Sequence, residues 1–128
     1  MVLKIINATE ARVGTNILID GDPFTIKKID ISKTGKHGHS KCRIEAQGIL
    51  TPNKKVFVIP GHERLDVPLV DKRKGQVLSL GSEVSVMDLE SFETLDVPCD
   101  EEIKSSLEIN SNVEYWDIEG KKIIKRKV

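Results

Sequence analysis

Between Phe24 and Ala46 apolar and polar residues largely alternate, and the alternation breaks once, over Ser32-Lys33-Thr34-Gly35-Lys36-His37-Gly38-His39-Ser40-Lys41. Those ten residues hold three lysines, two histidines and two glycines, and no apolar side chain. The alternation on either side predicts half-buried strands, Phe24 to Ile31 and Cys42 to Ala46. A chain built this way turns back where it has nothing to bury, so the ten residues read as a long hairpin tip with Lys36 near its apex. Gly35 and Gly38 can take φ > 0 without steric penalty, which lets the backbone turn sharply around Lys36. A thin basic finger on a rigid sheet suits a narrow, negatively charged place.

The rest of the first half continues in short strands. Asn16 to Asp20 meets the turn Asp20-Gly21-Asp22-Pro23, and Lys55 to Pro60 follows Gly48 and Thr51-Pro52-Asn53. No helical period survives there. Four or five strands in some 60 residues predict a small SH3-like barrel. A boundary is expected between Asp66 and Gly75, where proline, the charged run Asp71-Lys72-Arg73-Lys74 and a glycine crowd together as in a linker. One more surface hairpin is the alternative there. This divides the chain into domains 1–69 and 70–128.

The second half predicts strands at 76–80, 83–87, 92–96, 113–118 and 122–125, the last two joined by a tight turn at Glu119-Gly120-Lys121. Between the third and fourth, Asp100 is placed to cap a short helix with Glu101 and Glu102 in its first turn. Ile103 and Leu107 would share that helix's buried face. Five strands with a helix between the third and fourth is the OB-fold order. The fold class is therefore all-β: two tandem small barrels, an SH3-like barrel and then an OB-fold with one short helix.

The 128 residues carry 20 Lys+Arg and 20 Asp+Glu, and the balance hides an asymmetry. Residues 1–69 hold 11 basic against 7 acidic residues, a net of +4, while residues 70–128 hold 9 against 13, a net of −4. The first half can approach nucleic acid, and the second cannot lie flat on the same phosphates. Cys42 and Cys99 have no CxxC spacing and read as free thiols in a reducing compartment. No apolar run approaches membrane-spanning length and no signal peptide is recognisable, so a soluble, cytoplasmic protein without membrane contact is expected.

Nine of the ten residues Ser32 to Lys41 match the modification loop of the translation initiation factor 5A family, related to bacterial elongation factor P, with Ser40 where alanine is usual. The chain resembles that family over essentially its whole length, and the short start before the first strand suits an archaeal member. The resemblance implies the same two-barrel fold and makes Lys36 the lysine that receives hypusine or deoxyhypusine. Deoxyhypusine synthase would transfer the aminobutyl group of spermidine to Lys36, and no other cofactor is implied. It further implies a non-enzymatic factor that binds the ribosome, touching rRNA and P-site tRNA. The modified Lys36 would reach toward the peptidyl transferase centre and stabilise peptidyl-tRNA. Peptide bonds would then form at stalled sites such as those between prolines.

The residues allow this chemistry without demanding it. An exposed lysine has a pKa near ~10.4, so it is a good phosphate contact and a poor nucleophile. Loop and RNA contacts are expected from Lys33, Thr34, Gly35, His37, Gly38, His39, Lys41 and Arg43. His37 and His39 would otherwise serve as an acid–base pair in a small RNA-cleaving enzyme. They lack the third ligand and supporting shell of a zinc site, so no metal is expected. Gly35-Lys36 is no P-loop, because Asp30 and His37 stand where that motif needs glycine and Ser or Thr. An unmodified general RNA-binding module is the remaining alternative. Of the rings in the second half, Tyr115 and Trp116 should point to opposite faces of one strand, leaving a weak binder at best.

Overall fold

The computed structural model describes residues 2–34 and 39–128, and the chain divides into two compact units, Met1–Leu69 and Val70–Val128. Gly35, Lys36, His37 and Gly38, the centre of the expected tip, lie outside the described residues.

The first unit holds strands β1 (Val2–Asn7), β2 (Asn16–Ile19), β3 (Asp22–Thr34), β4 (His39–Gly48), β5 (Lys54–Pro60) and β6 (Arg64–Pro68). They form a four-stranded sheet in the order β2-β3-β4-β5 and a two-stranded sheet pairing β1 with β6. Ile17, Phe24, Ile26, Cys42, Ile44 and Leu65 fill the core between them. This is the SH3-like barrel. Asp20 and Gly21, at φ 52° and 84°, join Ile19 to its partner Asp22. Their twist matches that of the flanking strands, which is why Asp-Gly makes the tightest hairpins.

The second unit holds β7 (Asp71–Leu80), β8 (Val84–Asp88), β9 (Thr94–Val97), α1 (Glu101–Lys104), β10 (Asn112–Ile118) and β11 (Lys121–Lys127). The sheet order is β11-β10-β7-β8-β9, and a parallel bridge between Cys99 and Ile124 brings its two ends together. That bridge closes the OB barrel around Val77, Val86, Val113, Tyr115 and Ile124. Asp100 caps α1 as expected, its carboxylate accepting from Glu102 N at 2.9 Å. Glu119 and Gly120, at φ 54° and 88°, make the predicted tight turn. Among the described residues no helix is long and apolar enough to cross a membrane.

Three expectations need correction. The charged run Asp71 to Lys74 is the start of β7, paired rung by rung with β10 down to Asp71↔Asp117. Backbone hydrogen bonds make that ladder, and they are indifferent to the charge of outward side chains. Gly75 is therefore no linker residue: a Cβ there would lie 2.1 Å from Val86 Cγ1 and 3.6 Å from Tyr115, so the glycine lets β7 pass close over its neighbours. The strand expected over 92–96 begins only at Thr94, because Asp88 organises the preceding residues as a turn. β1 and β6 escaped the sequence reading altogether. A register shift between Val2 and Lys4 spoils the alternation of one, and the last three residues of the other, Asp66 to Pro68, fall in the stretch read as linker.

Candidate functional site

The hairpin that carries the candidate site residues has a paired part longer than the alternation suggested. β3 and β4 pair through Ile31↔Cys42, Ser32↔Lys41, Lys33↔Ser40 and Thr34↔His39. Six of the ten residues read as tip are thus ladder, leaving Gly35 to Gly38 beyond the last described rung. A strand with no apolar residue gives no hydrophobic period, so sequence pattern could not extend it.

Residues directly opposite in an antiparallel pair share a face. Lys33 lies with Ser40 on the face that carries Ile29, Ile31 and Cys42, the core-facing side continued outward. Lys41 lies with Ser32 on the other face, beside Asp30 and Arg43. A bulge between Ile26 and Lys28 sets this phase by inserting one residue into β3. The stem lysines, both exposed, therefore present charge on opposite sides of the ribbon. Arg43 is less available than expected: its Nη1 is 2.8 Å from Glu45 Oε2, two residues along the same face. Of Thr34 and His39 the backbone pairing is all that is described, and Lys36, Gly35, His37 and Gly38 lie outside the described residues.

On the same sheet, Lys27, Lys54 and Lys55, together with Glu45, Ala46, Gln47 and Val56, surround a hollow of about 190 Å³. Lys55 is engaged by Asp20 at 3.3 Å and sits 5.7 Å over the Phe24 ring. Basic groups on this unit thus extend from the ribbon to the opposite end of the sheet. Among the described residues no group of three or more His, Cys, Asp or Glu is placed to hold a metal ion.

The second unit contains one cluster that sequence reasoning missed. Asp88 is buried and accepts from Arg73 Nε at 2.6 Å, Arg73 Nη2 at 3.1 Å, the Tyr115 hydroxyl, and the backbone N–H groups of Glu90 and Ser91 at 2.8 and 2.9 Å. The Arg73 hydrogen bonds hold its carboxyl well below the usual carboxylate range, against the opposing effect of burial. Burial first, then the bond to Asp88, pushes the Tyr115 hydroxyl up to about 12. No sequence signal announced this, since the three residues lie on three different strands. Trp116 points the other way, as alternation required, with Lys72 Nζ at 4.8 Å and Lys125 Nζ at 5.2 Å from its ring centroid. Both rings are buried, and Phe92 alone among the three aromatics of this unit is exposed, at 70%.

A profile described as translation initiation factor 5A-like, N-terminal, matches residues 4–62. The translation initiation factor 5A of Metallosphaera sedula is 41% identical over 91% of this chain and 92% of its own. That of Methanocaldococcus jannaschii is 43% identical over 96% and 93%. A solved structure titled eukaryotic translation initiation factor 5A from Methanococcus jannaschii superposes with a TM-score of 0.87 at 42% identity, covering 98% of this chain and 94% of that one. A family protein from Naegleria fowleri gives 0.78 at 28% identity, with 99% of each covered. Two small β-barrels with a basic ribbon on the first, matched end to end by such relatives, define a translation factor. The chain belongs to the translation initiation factor 5A family.

Proposed function

We propose that this factor binds the ribosome and places a hypusine or deoxyhypusine side chain, carried by Lys36, near the peptidyl transferase centre. There it steadies the CCA end of peptidyl-tRNA, and the ribosome performs the chemistry. The carrying observation is the match of nine residues among Ser32 to Lys41 in a chain of this family. Deoxyhypusine synthase supplies the aminobutyl group from spermidine, which lengthens Lys36 and adds a second amine. The gain is in reach and in charge, as substrate positioning by an extended cation requires. The ribbon supports this reading: paired strands up to Thr34↔His39 give the four residues that follow a firm base. Lys33 and Lys41, on opposite faces, supply phosphate contacts on both flanks; such contacts position a protein on nucleic acid without reading sequence.

The test is Lys36→Arg. Arginine keeps the charge but has no primary amine to accept the aminobutyl group. The variant should keep its stability within about 0.5 kcal/mol, as expected when one basic side chain replaces another in a stretch with no apolar residue. It should also lose stimulation of peptide bond formation on proline-stalled ribosomes. Stimulation at the wild-type level would mean that charge suffices and that no modification is needed.

A further inference from the structure

β5 accompanies β4 outward only as far as Lys41↔Pro60. One residue further, Gly61 N–H donates to Ser40 O at 2.8 Å, and Gly61 O accepts from Thr9 N at 3.3 Å. Gly61 thus ties the emerging ribbon to the 3₁₀ turn Ala8–Glu10 that follows β1. That turn is itself held, with Ala8 N donating to Glu63 O at 2.9 Å and Asn7 N to Glu10 Oε1 at 3.0 Å.

Gly61 is buried, and its φ is not in the left-handed region. The backbone would accept any residue, so the need for glycine is steric. A Cβ there would sit 2.7 Å from Ser40 Cβ and 2.7 Å from Thr9 Cγ2. One of these neighbours is attached directly to the ribbon backbone and cannot swing aside. To reach ordinary contact at 3.4 Å, that gap would have to open by about 0.7 Å at the base of the ribbon. Close-packed interiors pass such displacements on rather than absorb them.

We infer that Gly61, Ser40 and Thr9 form a joint that fixes the direction in which the β3–β4 ribbon leaves the barrel, making Gly61 a positioning residue for Lys36. This inference rests on the function proposed above, since direction matters only if Lys36 has a distant target. A misplacement of 1 Å can cost on the order of 10²-fold where reacting groups must align.

The experiment compares fully modified wild type with Gly61→Ala, Ser40→Gly and the triple variant Gly61→Ala/Ser40→Gly/Thr9→Ser, which removes both clashing atoms. Two readouts are taken: stimulation of proline-stalled ribosomes, and amide hydrogen exchange. Gly61→Ala should lose about tenfold or more in stimulation, scaled from that alignment sensitivity, and exchange faster at Ser32–Thr34 and His39–Lys41, with β7–β11 unchanged. Aminobutyl transfer by the synthase in solution should change less than twofold, because that step needs a reachable amine and no fixed direction. The triple variant should recover at least half of the lost stimulation. If Gly61→Ala does not fold, Ser40→Gly, which opens the contact from the other side, should show faster exchange in the same segments. Wild-type exchange and stimulation in Gly61→Ala or Ser40→Gly overturns the joint, as does a triple variant no better than Gly61→Ala. Should wild type itself fail to stimulate, the proposed function falls, and the exchange data alone decide whether Gly61 fixes the ribbon.

Discussion

Asp88, the buried charged residue of the second barrel, shows what a single side chain contributes here. Its two oxygens take five hydrogen bonds that join β7, β10 and the turn before β9. Hydrogen bonds to a buried charged group typically contribute about 2 kcal/mol, and Arg73, which is partly exposed, keeps Asp71 at 3.2 Å and Glu90 at 3.6 Å as partners when Asp88 loses its charge. Asp88→Asn should therefore lower stability by about 2 kcal/mol in a urea titration, with ribosome binding judged separately. The pH dependence follows from the two displaced pKa values. Asp88 is depressed in the folded state, so its contribution is present above the unfolded value near ~3.9 and is lost as pH falls below it. Tyr115 is raised to about 12, so its contribution is complete below the unfolded value near ~10 and is lost as pH rises from there toward the folded value. Wild type should thus weaken in acid and again in strong alkali, and Asp88→Asn should show a shallower acid limb. An unchanged acid limb would mean that other carboxylates govern acid unfolding.

At the scale of elements, β7 and the β3–β4 ribbon share a property: their outer residues are charged, and their hydrogen-bonded ladders run on regardless. β7 depends on a glycine in its middle. Gly75→Ala should destabilise by about 2 kcal/mol, the usual cost of overpacking a core, because its Cβ falls 2.1 Å from Val86 Cγ1. Thermal unfolding measures this, and a neutral result would return Gly75 to the linker role its neighbours suggested. What the sequence could reveal is set by what makes a pattern. Half-buried strands such as 55–60 and 113–118 alternate, and Asp-Gly and Glu-Gly mark tight turns by their tolerance of positive φ. Those elements were legible. Polar strand ends at Ser32–Thr34 and Asp71–Lys74 contain no apolar residue, and β1 carries a register shift, so the pattern is silent or misleading there. The Asp88 cluster depends on three strands meeting, which no local pattern encodes. The family was legible for a different reason: Ser32 to Lys41 is a motif, whereas Gly61, packed against Ser40 at the start of the ribbon, is one isolated glycine that packing alone explains.

Over the whole molecule, charge is divided, with +4 on residues 1–69 and −4 on residues 70–128. Phosphate contacts should therefore be concentrated on the first unit. Each contact removed should flatten the log–log salt dependence of ribosome or RNA binding by about one unit. Lys33→Ala and Lys41→Ala should each do so. Arg43→Ala should do less, because Glu45 already partners that guanidinium at 2.8 Å. Equal slopes in all three variants and wild type would place the phosphate contacts elsewhere. The central claim concerns one lysine and is open to a direct measurement: peptide mass spectrometry of the protein purified from its native host. The account predicts an aminobutyl adduct, hydroxylated or not, on Lys36 alone, and plain lysine when the protein is made in a host without the synthase. An adduct on Lys33 or Lys41, or no adduct on functional protein, would contradict it.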